Sequence, residues 1–368
     1  MGREGNNGAA RMLQIRAAVL RKRGGPLRVE TLEMEGPRED EVLVRVAASG
    51  ICRTDIDLMD DWDGPPAVLG HEGAGVVERV GGGVRGVRRG DHVALSYQSC
   101  GRCRACRRGH PVDCERFWEA NFGLSRLDGT SAYRPAEVRG HFFGQSSFAA
   151  YALATARNLV KVPRDIPLHL IAPLGCGIQT GAGTVMNSLG VSRGESVLVL
   201  GAGAVGMAAV MAARVVRASP IIGVDVNARR LGLALALGAT HALRAGAGDL
   251  ASRIAEIAGG GVDYALEITG DPAMRELAAR ALKPRGTVAL IADPGGEGPL
   301  PGGRRARGVI QGDSVPQSFI PRLIALWRAG RFPFDRLIKT YGFKDINRAV
   351  RDVRRGGTIK AVLVMEEA

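Results

Sequence analysis

The second half of the chain alternates between short apolar runs and longer stretches in which apolar residues recur at helical spacing. The runs predict strands at 196–200, 221–225, 262–269 and 287–291, and the stretches between them predict helices at 207–216, 231–237 and 272–282. Pro272 suits the first turn of its helix, where a missing N–H costs little. Repeated strand–helix units predict an α/β fold with a parallel, doubly wound sheet.

A glycine-rich turn follows the first of these strands. Gly201, Gly203 and Gly206 stand between the strand and the next helix. The GxGxxG pattern alone is weak evidence, but in this order it predicts a turn whose backbone approaches the pyrophosphate of a dinucleotide at the helix N-terminus. The sequence therefore predicts a dinucleotide cofactor.

The second strand ends in an acidic residue, Asp225. A carboxylate at this place accepts hydrogen bonds from the adenosine ribose and repels a 2′-phosphate, which favours NAD over NADP. Arg229 and Arg230 weaken this preference, because a guanidinium can bind a phosphate. We expect Arg230 to contact the cofactor.

Further elements are predicted on both sides of this region. Alternating apolar and polar residues predict a strand at 41–47, and a Gly/Pro-rich segment predicts a loop at 293–303. We expect helices at 319–330 and 345–355 and a strand at 358–365, all returning to the first domain. The reactive cleft is then expected between the two domains.

Length and composition exclude several classes of protein. The 368 residues are enough for about two domains, and the net charge of +13 comes from arginines scattered along the chain, which does not favour nucleic-acid binding. Glycine, proline and polar residues interrupt the apolar stretches at 166–192 and 196–213, so neither is a convincing membrane span. With no secretory signal visible, we expect a soluble, cytoplasmic protein with a loose arm at 1–11.

Four of the six cysteines are concentrated in one short segment. Cys100, Cys103, Cys106 and Cys114 have the spacing C-x2-C-x2-C-x7-C. Four thiolates at this spacing can close a tetrahedral shell around Zn²⁺ and leave no position for water or substrate. The lobe around them, about 98–116, has no apolar periodicity, so the metal would hold it together. We predict a structural zinc site.

Two alternatives exist for this cysteine segment. Disulfides are typical of small secreted chains, and this chain is neither small nor secretory. An iron–sulfur cluster is the second alternative, but no proline follows the fourth cysteine and no second cluster motif is present. Zinc matches the pattern better than either.

The two other cysteines and one histidine lie in three separate segments. Cys52 follows the predicted strand at 41–47, Cys176 lies in the segment PLGCG, and His71 stands beside Glu72 in a glycine-rich turn. Each cysteine alone is more often a small buried residue. Together, however, two thiolates and an imidazole form the open zinc site whose fourth position takes water or an alcohol oxygen. Zinc has no redox chemistry, so the dinucleotide would carry the electrons.

The segment from Gly70 to Val84, with the pattern GHExxGxxxxxGxxV, resembles the zinc signature of medium-chain alcohol dehydrogenases. The resemblance extends over about residues 13–366. It implies a mainly β, GroES-like catalytic domain at 1–177 and 316–368 and an NAD-binding Rossmann domain at 178–315. It further implies one catalytic and one structural zinc per chain, and a homodimer or homotetramer.

The resemblance also implies roles for residues near the two metals. Cys52, His71 and Cys176 match the catalytic zinc ligands, and the four clustered cysteines match the structural ones. Three further matches are Glu72 to a carboxylate that can transiently approach the metal, Asp55 to the acid that orients the zinc histidine, and Thr54 to the hydroxyl that accepts the substrate proton.

Cofactor contacts follow from the same resemblance. The matching positions are Arg53 and Lys360 at the pyrophosphate and Thr180 and Val205 beside the nicotinamide. Asp57 stands where many members of the family have a relay histidine. We therefore expect the proton to leave through Asp57, or through the cofactor ribose to water.

Several segments resemble the aryl-alcohol branch of the family, which also acts on terpene alcohols such as geraniol. They are 142–148, 173–183, 308–316 and 330–335. Phe142 and Phe143 match positions that line the substrate pocket in relatives, with core packing as the alternative. The implied reaction is NAD-linked oxidation of a primary aromatic or allylic alcohol to the aldehyde, and the reverse.

The sequence leaves two other functions open. A thiol-adduct formaldehyde dehydrogenase is one, because an arginine-rich mouth could hold an anionic thiol carrier. A basic, zinc-containing nucleic-acid-binding protein is the non-enzyme alternative, but it has no need of a dinucleotide fold. We therefore predict a small-molecule alcohol or aldehyde as the partner, and neither nucleic acid nor membrane.

Overall fold

The structure is a computed structural model that describes residues 12–246 and 248–366. The arm expected at 1–11 lies outside these residues. The described chain divides into two compact units. One consists of the residues up to Gly175 together with those from Lys339 onward, and the other is Cys176–Ile338.

From residue 12 to Ile171, the described chain forms short, largely buried strands and four short α-helices. The strands are β1 (Leu13–Leu20), β2 (Leu27–Met34), β3 (Glu41–Gly50), β4 (Ala67–Val68), β5 (Glu72–Val80), β6 (His92–Leu95), β7 (Tyr133–Arg134), β8 (Tyr151–Thr155) and β9 (Leu159–Lys161). The helices are α1 (Arg53–Asp61), α2 (Arg104–Arg107), α3 (Phe117–Phe122) and α4 (Leu168–Ile171).

The second segment alternates between helices and strands. Its helices are α5 (Gly177–Gly183), α6 (Ala204–Val215), α7 (Ala228–Leu237), α8 (Leu250–Ala258), α9 (Pro272–Ala281) and α10 (Pro316–Arg328). Its strands are β10 (Val197–Leu200), β11 (Ile221–Asp225), β12 (His241–Arg244), β13 (Val262–Glu267), β14 (Leu282–Leu290), β15 (Gly298–Leu300) and β16 (Arg304–Gly308). The last elements are β17 (Ile338–Gly342), α11 (Ile346–Arg354) and β18 (Lys360–Val364).

Two sheets form the core of the first unit. One has the strand order β4-β1-β2-β7, and the other has the order β17-β18-β3-β5-β6-β9 with β8 paired to β3. β3 runs antiparallel to β5, β8 and β18, which makes it the centre of the larger sheet. The strand predicted at 41–47 is the N-terminal part of β3. Together the two sheets confirm the mainly β character of this unit.

The second unit contains the doubly wound sheet that the sequence predicts. Its strand order is β12-β11-β10-β13-β14-β16-β15, and all neighbours run parallel except β15. The prediction of a loop throughout 293–303 is wrong at β15, which pairs antiparallel with β16. A Gly-Pro-Leu strand has little β propensity of its own, and its backbone partners come from β16.

Local signals explain where the helices of this unit begin. The side chain of Asn227 accepts hydrogen bonds from the N–H groups of Arg229 and Arg230 at the start of α7, and Asp271 caps α9 ahead of Pro272. α10 contacts α5 within the second unit, whereas the family resemblance implied that residues 316–338 belong to the first domain. None of the described helices is long and apolar enough to cross a membrane.

Candidate active site and zinc sites

The four clustered cysteines converge on one point in the first unit. The Sγ atoms of Cys100, Cys103, Cys106 and Cys114 all lie within 4.8 Å of one another. None of the six cysteines forms a disulfide bond, so the disulfide alternative is not what the structure has. These four sulfur ligands are the set that a closed zinc site needs. Backbone N–H groups also donate hydrogen bonds to the sulfurs. Cys100 N lies 3.2 Å from Cys114 Sγ, and Cys103 N lies 3.4 Å from Cys100 Sγ.

The protonation of these thiols differs sharply across the cluster. A backbone N–H bond from Cys106 lowers the pKa of Cys103 to about 6, whereas burial raises the pKa of Cys114 to about 12. Protein groups alone therefore ionise the cluster only in part. A divalent cation would supply the charge that converts all four thiols to thiolates, so these residues fit a structural zinc ion.

A second group of metal-ligating atoms lies apart from the first. The side chains of Cys52, His71, Glu72 and Cys176 each place a ligand atom within 4.8 Å of the others. His71 is fully buried, and its Nε2 atom has no hydrogen-bond partner among the described residues. A buried ring nitrogen aimed at two thiols is the arrangement that a metal ion satisfies.

Asp55 fixes the orientation of the His71 ring. Its Oδ1 atom lies 2.9 Å from His71 Nδ1 and accepts the N–H of Gly70 at 3.2 Å, while its Oδ2 atom accepts the N–H of Cys52 at 2.9 Å. Burial lowers the pKa of His71, but Asp55 and Cys52 raise it by a larger amount. The net pKa is therefore well above the ordinary value. Asp55 and Cys52 therefore favour a positive charge at this place. The predicted orienting role of Asp55 is consistent with this contact.

Strand pairing and close packing at two glycines set the positions of these ligands. Cys52 precedes α1 at the end of β3, His71 precedes β5, and the register pairs Gly50 with Glu72. A side chain on Gly50 would clash with Glu72, and one on Gly175 would clash with the carbonyl of Leu95. These two glycines were not predicted from the sequence, because their only signal is that each stands one or two residues before a cysteine of this group.

Glu72 is held by an ammonium group rather than by solvent. Lys360 Nζ lies 2.8 and 2.9 Å from its two carboxylate oxygens and 3.2 Å from the carbonyl of Ile51. Lys360 is 2% exposed. Its predicted contact with the cofactor pyrophosphate stays a prediction, and so does the approach of Glu72 to the metal.

Aromatic rings pack against the buried imidazole of His71. Phe143 stacks on His71 with ring centroids 4.5 Å apart, and Phe142 meets it edge-on at 5.2 Å. Phe122 packs against both phenylalanines, and Trp118, which is 58% exposed, packs against Phe122. Phe142 and Phe143 are themselves buried, so they lie beside the ligand set, and their role in a substrate pocket stays a prediction.

The predicted proton-transfer residues lie on the first turns of α1. Thr54 Oγ1 is 3.8 Å from Cys52 Sγ, which puts its hydroxyl next to a metal ligand. Arg53 and Asp57 form an ion pair with 2.6 Å between Nε and Oδ1, and both are open to solvent. Arg53 is therefore accessible to an anion, although its contact with a cofactor stays a prediction.

In the second unit, the GxGxxG turn has the geometry that a dinucleotide needs. Gly201 has φ +103°, and a side chain on Gly206 would clash with the carbonyl of Gly201. A side chain on Gly203 would meet nothing, which leaves the start of α6 open to a phosphate. Asp225 accepts the N–H of Ala202 at 2.7 Å and that of Asn227 at 2.8 Å.

Three further predicted cofactor residues surround this turn. Arg230 Nη1 lies 3.9 Å from Asp225 Oδ2, so the guanidinium faces the acidic residue. Thr180 Oγ1 donates to the carbonyl of Cys176 at 2.9 Å. Gly181, the next residue, packs so tightly on the carbonyl of Val205 that a side chain would clash with it. These residues fit a dinucleotide on this unit, and their individual contacts remain predictions.

Comparisons with known proteins agree with this geometry. Residues 38–164 match the alcohol dehydrogenase GroES-like domain, and residues 204–322 match the zinc-binding dehydrogenase domain. The chain is 45% identical over 365 residues to geraniol dehydrogenase from Castellaniella defragrans, covering 96% of this chain and 98% of that one.

Two solved structures are similar over nearly their whole length. Benzyl alcohol dehydrogenase from Acinetobacter calcoaceticus has a TM-score of 0.92 and 43% identity, over 96% of this chain and 100% of that one. An alcohol dehydrogenase zinc-binding domain protein from Burkholderia ambifaria has a TM-score of 0.93 and 49% identity, over 97% and 100%. The predicted α/β fold, the family and the zinc and NAD cofactors are confirmed, whereas the domain bounds and the roles of individual site residues stay predictions.

Proposed function

Because the chain belongs to the zinc-dependent medium-chain alcohol dehydrogenase family, we propose that it oxidises a primary allylic or aromatic alcohol to the aldehyde with NAD, and catalyses the reverse reaction. Alcohol dehydrogenase activity follows from the family. The substrate class rests on one observation, the packing of Phe143 and Phe142 against the ring of His71. Flat, unsaturated substrates suit an aromatic wall.

Zinc at Cys52, His71 and Cys176 would polarise the alcohol oxygen, and NAD on the second unit would accept the hydride. The protein residues supply orientation and proton transfer. Asp55 holds the imidazole of His71 through Nδ1, so that Nε2 is the free ligand atom. Lys360 balances the charge of Glu72 beside the ligand set.

Thr54 is the proposed first proton acceptor from the alcohol. A hydroxyl can accept one proton while it donates its own onward, which neither a methyl nor an amide can do in one step. Its Oγ1 atom lies 3.8 Å from a proposed zinc ligand, Cys52. Asp57, four residues after Arg53 and ion-paired with it, is solvent-exposed and can pass a proton to water.

Relatives support the substrate class. One similar protein is named for geraniol, an allylic alcohol, and one similar structure is named for benzyl alcohol. A wall of rings near the ligand set serves both substrates, because each presents a π system next to the reacting carbon.

A substrate panel tests the proposal. Purified protein would be mixed with NAD and geraniol, cinnamyl alcohol, benzyl alcohol or ethanol, and NADH formation followed by absorbance. We expect kcat/KM for the first three to exceed that for ethanol by at least about tenfold, the scale of a well-fitted apolar contact. Formaldehyde with glutathione forms a separate arm. If that arm has the highest kcat/KM, the protein is a thiol-adduct formaldehyde dehydrogenase instead.

We further propose a cytoplasmic homodimer or homotetramer. Cysteine thiolates that bind zinc suit a reducing compartment, and the structure has no disulfide among its six cysteines. Light scattering on the zinc-loaded protein would give the subunit number, and a mass equal to one chain of 38.8 kDa would contradict the oligomer.

A further inference from the structure

A buried glutamine contacts one of the proposed catalytic zinc ligands. Gln311 Nε2 donates to Cys176 Sγ over 3.5 Å, and only 7% of Gln311 is exposed. We infer that Gln311 is a positioning residue. Its amide holds the sulfur of Cys176 in place and donates a hydrogen bond to this sulfur when Cys176 is a thiolate. Groups of this kind orient metal ligands and tune them.

A second amide determines which way the Gln311 side chain faces. Gln179 Nε2 donates to Gln311 Oε1 over 2.8 Å, and Gln179 is fully buried. Because the oxygen of Gln311 is occupied by this donor, its NH₂ group is the end that points at the sulfur. The reverse orientation would set two donors against each other on one side and an oxygen against a thiolate on the other.

The backbone at Gln311 is held in an unfavourable conformation. Gln311 has φ +52° in a short turn that continues into Gly312 at φ +63°. A side chain on Gly312 would lie 2.7 Å from the carbonyl of Thr180 and 2.8 Å from that of Gln179. The turn is therefore pressed onto α5, the helix that follows Cys176. Non-glycine residues at positive φ persist where the surroundings over-determine them, often at functional sites.

The contact has a chemical consequence at the sulfur. An N–H donor withdraws electron density from a thiolate and lowers the energy of its lone pairs. Removing the donor therefore raises those lone pairs and leaves the sulfur freer to move. A purely structural role for the two amides would affect folding stability but not the electronic state of the sulfur.

Cobalt substitution measures the electronic state of the sulfur directly. Co²⁺ would replace Zn²⁺ in the full-length protein, and the sulfur-to-cobalt charge-transfer absorption would be recorded. The variants are Gln311→Leu, the isosteric Gln311→Glu, and Gln317→Leu as the matched control on an exposed glutamine of the same region. The four-cysteine site is common to all of them, so it cancels in difference spectra against the wild type.

We expect the charge-transfer band to move to lower energy in Gln311→Leu and Gln311→Glu and to stay in place in Gln317→Leu. Gln179→Leu should give a smaller shift in the same direction, and the double variant should shift no further than Gln311→Leu alone. Release of zinc from the second site to a chelator should be about tenfold faster in Gln311→Leu. If Gln311→Leu does not fold, Gln311→Glu still tests the donor.

The inference rests on the zinc site of the proposed function, and the outcomes separate the two. Two metals per chain with an unshifted band in both Gln311 variants would overturn the positioning role alone. A single metal per chain in the wild type would refute the site at Cys52, His71 and Cys176, and with it the inference. A shifted band in a protein that oxidises none of the tested alcohols would support the positioning role and leave the substrate assignment wrong.

Discussion

The ammonium of Lys360 and the carboxylate of Glu72 form an ion pair that is almost wholly excluded from solvent. Nζ lies 2.8 and 2.9 Å from the two oxygens, and the side chains are 2% and 0% exposed. Burial raises the pKa of Glu72, and Lys360 counteracts part of that rise. The pair joins β18 to β5, so it ties the C-terminal strand to the strand that follows His71.

Lys360→Met should lower the free energy of unfolding by about 3–5 kcal/mol, because it leaves a buried carboxylate without its cation. Urea denaturation of the zinc-loaded protein would measure the change. Lys339→Met is the matched control, since Lys339 is half exposed and its loss should have little effect. The double variant Lys360→Met, Glu72→Gln should recover part of the loss. If it is no more stable than Lys360→Met, the pair is not what stabilises this region.

The protein should bind two zinc ions per chain, and the two sites should fail differently. Cys103→Ser opens the closed site, so we expect it to lose one zinc and mainly stability. Cys52→Ser should lose the other zinc and mainly turnover, with the fold retained. Elemental analysis, thermal unfolding and NADH formation would be measured together. Similar losses in both variants would contradict the division into structural and catalytic sites.

NAD should be preferred over NADP. Asp225 accepts two backbone N–H groups. We predict that its carboxylate lies where NADP would carry a phosphate, so that like charges would repel. Asp225→Gly should bring the kcat/KM values for the two cofactors closer together. Arg230 faces the carboxylate of Asp225, and without that carboxylate it is released to bind a phosphate. Asp293→Gly, on an exposed loop of the same unit, should leave the ratio unchanged. A wild-type preference for NADP would rule out this assignment.

Thr54→Ala should lower kcat by about 10²-fold or more, in line with loss of a positioned proton-transfer group. NAD affinity, measured by fluorescence titration, should change little. Thr54→Ser is the control, and it should keep most of the activity because the hydroxyl is retained. Stopped-flow measurement with deuterated and ordinary benzyl alcohol would isolate the chemical step. An unchanged single-turnover rate and isotope effect in Thr54→Ala would remove Thr54 from the mechanism.

Acid should destabilise the protein through His141. Burial, with Arg126 and Arg38, lowers the pKa of His141 to about 3, and its Nε2 atom accepts the N–H of Ala132 over 3.2 Å. Since the unfolded-state pKa is about 6.5, the unfolded state binds the proton first. The stability that this group contributes is therefore present well above pH 6.5 and is lost as the pH falls towards 3. By pH 5.5 the free energy of unfolding should be lower by about 1.4 kcal/mol.

His141→Gln keeps an acceptor but removes the titration. The difference in unfolding free energy between pH 8 and pH 5.5 should therefore shrink by about that amount relative to the wild type. His110→Gln, on an exposed histidine, should leave the difference unchanged. Zinc loss in acid is common to all three proteins and cancels. An identical pH dependence in His141→Gln and the wild type would show that another group is responsible.

The sequence alone determined the features whose parts lie close together along the chain. The four cysteines occupy one segment of fifteen positions from Cys100 to Cys114, so short turns suffice to bring their sulfurs within 4.8 Å. The GxGxxG turn likewise follows from strand, glycines and helix in order, and its Gly201 has the positive φ that the pattern requires. Apolar periodicity was enough for the doubly wound sheet as well.

The tertiary structure decided what depends on long-range pairing. The sequence grouped Cys52, His71 and Cys176 by chemistry, but the register of β3 with β5, which pairs Gly50 with Glu72, is what sets the first two side by side. The burial of Lys360 against Glu72 and the contact of Gln311 with Cys176 leave no local signal, because their partners are distant in sequence. Residue type and spacing fix local backbone geometry, whereas a contact between distant segments exists only once the sheets have paired and excluded water.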